Sequence, residues 1–364
     1  MNYKNVYEIH IKVLMNKNRN WTIRFKYKGM ILLKGLFICE NLQKIILKRG
    51  TICGYVHSVF KSACNIECDG LFITLLSSGK KMSPMSIVVD GLEQVDFRGL
   101  DITQNLIFEF SESKIYCAEV NLFITMNNVE KWSSCVETNT SNCLEYQLLE
   151  NIKIIGQGVK TLGKNYGMGP LVNMIAGKLP DLELVAFHED TFDKSFEFIV
   201  DRFMNFIQAF LRADVIGIGN IAQSVIGFGY GLTPAMDDFI SGLMISYIYM
   251  GTYYKLNLEQ IYDFNSKIIS SGLHKTTRVS SEMLRHSSVG EINEAVKNLM
   301  AVILNFDDDN EDENHKNIIK SLTEVIGYGE TSGTDTTFGI YVGLKILTNL
   351  RYRRVWINES LRGY

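Results

Sequence analysis

The rhythm of apolar residues changes once along this chain, and that change limits the folds open to it. Up to about residue 130 the apolar residues fall in short runs: IHIKVL from Ile9, WTIRFKY from Trp21, LFITLL from Leu71, SIVVD from Ser86, LIFEF from Leu106 and NLFITM from Asn121. Each is rich in β-branched and aromatic side chains and is bounded by Gly, Asn, Asp or Lys, the pattern of strands. ENLQKIILK, from Glu40, reads as a helix among them, and HSVFKSACNI, from His57, as a second. From about residue 185 the spacing becomes three and four. FDKSFEFIVDRFMNFIQAFLRA, LEQIYDFNSKIISSGL, SSEMLRHSSVGEINEAVKNLMAVILNF and HKNIIKSLTEVIG all repeat it, as helices do. The expected fold class is α+β: a β-rich barrel or sandwich over residues 1–145, then a mainly helical domain over residues 146–364. The polar stretch EKWSSCVETNTSNCLEY, from Glu130, marks the change.

Composition narrows the function classes. With 46% hydrophobic and 21% charged residues in 364, the chain can bury a sizeable core. A net charge of −3 gives no basic surface for nucleic acid. The N-terminus has no signal-peptide pattern, and the longest apolar run, Phe239 to Met250, is too short to cross a bilayer. Seven cysteines, an odd number without paired spacing, point to free thiols in a reducing compartment, the cytoplasm by default.

One stretch carries an excess of turn chemistry. IGFGYGLTPAMDDFISGLM places Gly227, Gly229, Gly231 and Pro234 ahead of Asp237 and Asp238, which open an apolar helix. Its beginning returns as IGYG at Ile326–Gly329, followed by Ser332, Gly333, Asp335 and Gly339. In both copies an aspartate stands four residues before a glycine, although the intervening loops differ by three residues. Glycines permit positive φ, so successive N–H groups can face one concavity, and a helix N-terminus favours an anion there. Thr233 is expected as the N-cap with Pro234 at the first helical position. The candidate ligand-binding residues are Gly229, Gly231, Leu232, Thr233, Ser332, Gly333 and Asp335, with Asp237 and Asp238 as candidate catalytic acids. The competing reading is that the two acids merely satisfy the helix dipole. Gly242, Gly339 and Gly343 read as helix-packing contacts.

A second cluster lies between the copies. GLHKTTRVSSEMLRHSSVGE gathers Thr276, Thr277, Arg278 and Ser281 at a helix start, a mixture suited to phosphate or carboxylate. A capped, exposed helix start is the alternative. GVKTLGKN, Gly158 to Asn165, nearly spells a P-loop after strand-like IKII but lacks the Ser or Thr that would hold Mg²⁺. Cys53, His57, Cys64 and Cys68 are spaced poorly for zinc and read as ordinary small cysteines. The acidic run Asp307 to Glu313 reads as a solvated loop between helices. No metal site is called; Mg²⁺ on Asp237 or Asp238 is the one ion the acids could anchor.

GFGYGLTPAMDDFISGLM resembles the Gly-x-Gly-x-Gly-Leu-Thr-Pro-x-x-Asp-Asp-Phe signature of a bacterial family, the AllH-type subunit of oxamate carbamoyltransferase. The likeness continues through TTRVSSEMLRHSSVGE and IGYGETSGTDTTFGIYVGL, and more weakly in GYVHSVFKSACNI and MSPMSIVV, spanning roughly residues 50–350. It departs at Tyr230, where the family usually has Pro, and at Met236, where it usually has Gly. The resemblance implies carbamoyl transfer between oxalurate with phosphate and oxamate with carbamoyl phosphate, in anaerobic allantoin (purine) catabolism. It also implies action with other subunits, on a small anionic substrate. Under it, amides around Gly229–Thr233 would hold phosphate or carboxylate, and Arg278, Thr276 and Thr277 would neutralise the remaining charge. Asp237 or Asp238 would order the loop, hold a ureido N–H or anchor Mg²⁺. Two other functions stay open: a non-catalytic anion-binding scaffold that completes a partner's site, and a nucleotide enzyme built on Gly158–Lys164.

Overall fold

The computed structural model describes residues 9–15, 21–27, 29–91, 95–137, 143–164, 166–176, 197–305 and 311–353. The chain divides into two compact units, Met1–Ser133 and Ser134–Tyr364.

The first unit is a closed eight-stranded barrel. Its strands are β3 (Ile31–Cys39), β4 (Ile52–Val59), β5 (Ala63–Cys68), β6 (Leu71–Ser77), β7 (Ser86–Asp90), β8 (Ile107–Phe110), β9 (Lys114–Cys117) and β10 (Leu122–Thr125). Around the barrel the order is β3-β7-β6-β5-β4-β8-β9-β10, and β10 returns to β3 in parallel register, Leu122 opposite Ile31. The pair β6–β7 is also parallel; the other neighbours are antiparallel. A short β11 (Glu130–Trp132) continues along β3 beyond β10. Closure pairs both edges of every barrel strand over part of its length, and alternate residues fill the inside. Val56, Cys64, Ile66, Ile73, Leu75, Ile87, Val89, Phe108, Phe110, Ile115 and Ile124 are wholly buried there. The helix α1 (Glu40–Arg49) buries Leu42 and Ile46. Strands β1 (Ile9–Met15) and β2 (Trp21–Tyr27) form a separate antiparallel pair.

A second helix expected at His57–Ile66 does not form. Those residues end β4, turn through Phe60, whose N–H donates to Ala63 O (2.7 Å), and begin β5. Cys64 and Ile66, two residues apart, are wholly buried, and β5 pairs with β4 and β6 in antiparallel ladders. Burial pushes the Cys64 and Cys68 thiols up to about 12, which keeps them protonated and unreactive.

The second unit is helical: α2 (Glu145–Leu162), α3 (Gly169–Ala176), α4 (Glu197–Leu211), α5 (Ile218–Ala222), α6 (Ala235–Tyr253), α7 (Leu258–Ser270), α8 (Arg278–Ser288), α9 (Glu294–Leu304), α10 (Glu311–Ile326) and α11 (Ser332–Arg353). The single helical run expected from Ser280 to Phe306 is two helices. Gly290 at φ 81° ends α8's turn, and Asn293 caps α9 by accepting the Val296 N–H. IKII, read as strand-like, lies inside α2, so Gly158–Lys164 is a helix end rather than a strand-to-loop phosphate cradle. Of the acidic run, Glu311–Glu313 form the first turn of α10, and 307–310 lie outside the described residues.

Helix α6 is apolar on all sides and buried nearly throughout, as a central helix must be. It packs closely along α11, with glycines where the two backbones meet. A Cβ on Gly242 would overlap the Thr336 carbonyl oxygen, and one on Gly339 would overlap the Phe239 carbonyl oxygen. The contact is reciprocal: Phe239, Gly242 and Leu243 of α6 meet Thr336, Gly339 and Ile340 of α11, each separated by the same 97 positions. The two aspartate–x₃–glycine segments therefore face each other across a local two-fold arrangement.

No helix among the described residues is long and apolar enough to cross a membrane.

Candidate functional site

The pairing of α6 with α11 brings their N-termini, and the two glycine turns ahead of them, to one place. Thr233 and Ser332, one from each turn, join hydroxyls at 2.8 Å. This corrects the expected cap. Pro234, at φ −56° and ψ 143°, is the N-cap of α6, and its carbonyl receives the Asp237 and Asp238 amides at 2.9 and 3.1 Å. Thr233 is thereby freed to reach across to the other helix.

The first turn is held by Asp237. Its Oδ1 accepts the Gly227 N–H at 2.7 Å; its Oδ2 accepts the Ser280 hydroxyl at 2.7 Å and the Thr276 hydroxyl. Burial raises the Asp237 carboxyl, and these three donors offset only part of that rise. Thr277 caps α8, accepting the Ser280 N–H at 3.0 Å, and donates its hydroxyl to the Leu232 carbonyl. The start of α8 thus clamps both ends of the turn. The residue that completes the clamp is Ser280. Ser281, its predicted neighbour, contributes its main-chain N–H to Thr277 O (2.9 Å) within the helix.

Between these anchors the chain is exposed. Gly229 adopts φ 122° with Ala235 N 2.5 Å from where a Cβ would sit, and Gly231 adopts φ 100° beside open space. Nothing among the described residues takes up the main-chain N–H groups of Gly229 through Thr233. Tyr230 and Leu232 project outward, 94% and 51% exposed. These amides precede the N-cap of α6, in the stretch where the sequence pattern placed an anion.

Two expected participants are otherwise occupied. Arg278 is engaged by Glu282 on its own helix, and Arg285 approaches the same carboxylate at 3.6 Å. Gly333 gives its N–H to Tyr328 O (3.0 Å) and packs against the Val325 carbonyl, which makes it a spacer in the second turn rather than a ligand donor.

Asp238 and Asp335 are buried, 2% and 0% exposed. Thr233 and Ser332 hydroxyls bond Asp238; Thr331 and the Met168 N–H, at 2.7 Å, bond Asp335. Met168 lies far from Asp335 in sequence, and nothing in the local pattern points to it. Each acid keeps Oδ2 without a hydrogen-bond partner among the described residues.

The model of oxamate carbamoyltransferase subunit AllH matches residues 225–344, and that of the AllH family N-terminal domain matches residues 34–131. The chain belongs to the AllH family. No curated protein and no solved structure matches it. The first AllH match begins at Val225, spans both glycine turns and the α8 clamp, and ends at Leu344 in α11. The AllH N-terminal match covers most of the barrel. The family is a subunit family, so this chain acts with other subunits of a carbamoyltransferase complex.

The acid pair should make the stability of this AllH member depend on pH. Burial raises the Asp335 carboxyl to about 7, and burial with the Asp335 charge raises Asp238 well above the usual carboxylate range. The folded state therefore keeps a proton that the unfolded chain releases near pH ~4. That stabilisation is complete below the unfolded value and is lost as pH rises through about 7. Thermal unfolding should move to lower temperature between about pH 5 and about pH 8, with a slope of about 1.4 kcal/mol per pH unit for each proton that the folded pair holds. Asp335→Asn should flatten that slope; an unchanged slope would show that the acids do not titrate there.

Proposed function

We propose that this chain supplies the anion-binding site of an oxamate carbamoyltransferase, which moves a carbamoyl group between oxalurate with phosphate and oxamate with carbamoyl phosphate. The pathway served is the anaerobic breakdown of allantoin and so of purines. The observation that carries the reading is the row of unpaired amides at Gly229–Thr233, at the joint N-termini of α6 and α11.

Transfer between these acceptors needs no covalent enzyme intermediate. It needs donors for a dianion, donors for the oxyanion of a tetrahedral intermediate, and fixed orientation. The amides of the first turn hold the phosphate or the oxamate carboxylate. Asp237, Thr276, Thr277 and Ser280 keep the turn in shape. Asp238 and Asp335 stand behind the Thr233–Ser332 hydroxyl pair.

A second reading is favoured by the Arg278–Glu282 pair. With that cation neutralised on its own helix, the chain could bind the anion and leave chemistry to a partner subunit. Assaying the chain alone and with its partners separates the two, because a scaffold binds ligand but turns nothing over.

A thermal-shift series with phosphate, carbamoyl phosphate, oxamate, oxalurate and ATP tests the site. An anion at about 100 times its Kd should stabilise the chain by about 2.7 kcal/mol, and ATP should do nothing. Gly231→Ala meets no neighbouring atom but strains the backbone at φ 100°. It should fold and weaken anion binding by roughly 5- to 30-fold, the equivalent of about 1–2 kcal/mol. Full-strength binding by that variant, or no response to any anion, would remove the turn from the reaction.

A further inference from the structure

Asp238 and Asp335 are the same position of two like segments, each four residues before the glycine that seats the opposing helix. The titratable groups acting on Asp238 are Asp335 across the seam, Asp237 beside it on α6, and Tyr328 from the second turn. Among the described residues no Lys, Arg or His is paired with either acid, and each presents an unbonded Oδ2. Two carboxylates in so dry a setting repel each other with little solvent to screen them, which favours a proton on one of them. The hydroxyls of Thr233 and Ser332, bonded to each other and to Asp238, run from this pair toward the exposed turn.

We infer that Asp238 and Asp335 share one proton and exchange it, through the Thr233–Ser332 hydroxyls, with the ligand held at the glycine turns. The inference rests on the carbamoyl-transfer reading, and the balance of that reaction fits it. An oxygen of hydrogenphosphate bonds to the carbamoyl carbon, and the bond from that carbon to the oxamate nitrogen breaks. The electron pair stays on nitrogen, which takes a proton from the hydroxyl path. Hydrogenphosphate gives up its own proton to the same path, and the acid pair ends as it began. A pair holding one proton serves as acid and base together, and its burial keeps that proton from bulk water. The acids are positioning residues in this scheme; the hydroxyls meet the ligand.

Infrared spectroscopy of the full chain at neutral pH should show the carbonyl band of a neutral carboxylic acid, equivalent to one proton per chain. The double variant Asp238→Asn with Asp335→Asn should lose it. Thr233→Val should keep the band yet slow carbamoyl transfer by the assembled complex at least about tenfold and change its pH profile. Thr233→Ser should restore both. Absence of the band in the unmodified chain, or its removal by Mg²⁺ binding between the acids, overturns the shared proton. Thr233→Val at the full rate overturns the path. A complex that transfers no carbamoyl group ends the functional reading and the path together, whereas the infrared band decides the shared proton independently.

Discussion

Asp237→Ala is expected to destabilise the helical unit by about 3–5 kcal/mol and to abolish anion binding. The carboxylate gathers three donors from two separate segments: the Gly227 amide, and the Thr276 and Ser280 hydroxyls. Removing it leaves all three without an acceptor in a largely dry site, and the first turn loses its tie to α8. Asp237→Asn keeps one carbonyl acceptor but turns an amide donor toward the hydroxyls, so it should fall between wild type and the alanine variant. Urea unfolding measures the first effect, and phosphate-induced thermal shift the second. An alanine variant with wild-type stability and phosphate binding would show that the turn stands without its acid.

The second large effect is expected in the helix seam. Gly339→Ala forces a methyl group against the Phe239 carbonyl, and Gly242→Ala forces one against the Thr336 carbonyl. The obstacles are main-chain atoms of buried helices and cannot swing aside. Overpacking of this kind costs about 3 kcal/mol, offset by about 1 kcal/mol from alanine's better helix propensity. Each single variant should therefore lose about 2 kcal/mol. Both methyls push on one interface, so opening it for the first accommodates part of the second, and the double variant should lose less than the sum. Denaturant midpoints of the four proteins give the coupling directly; strict additivity would mean that the two contacts yield independently.

Much of the architecture was legible because it depends on local pattern. The runs at Leu71, Ser86 and Asn121 are strands β6, β7 and β10, and the run at Glu40 is α1. Closure was not legible, since it depends on β10 meeting β3 across some 90 residues, and no local spacing encodes that partner. HSVFKSACNI misled because Ser, Lys and Ala suit a helix, while Cys64 and Ile66 lie in a strand paired with both β4 and β6. At the site, the echo of IGFG in IGYG located both turns, and their meeting through Thr233 and Ser332 gives it physical meaning. The α8 clamp turned on a detail that sequence leaves open. Ser280 and Ser281 are adjacent, and only the start of α8 at Arg278 decides which of them faces Asp237. Thr233 was expected as the cap, and the extended geometry of Pro234 moves the helix start one residue further on.

The reciprocal seating of α6 on α11 also bears on where this chain can change length. One extra residue between Asp335 and Gly339 would rotate the acid about 100° around the helix axis and tear it from its mate while the glycine stayed put. The same holds between Asp238 and Gly242. Insertions and deletions are therefore confined to the stretches ahead of the acids, where the two copies already differ by three residues.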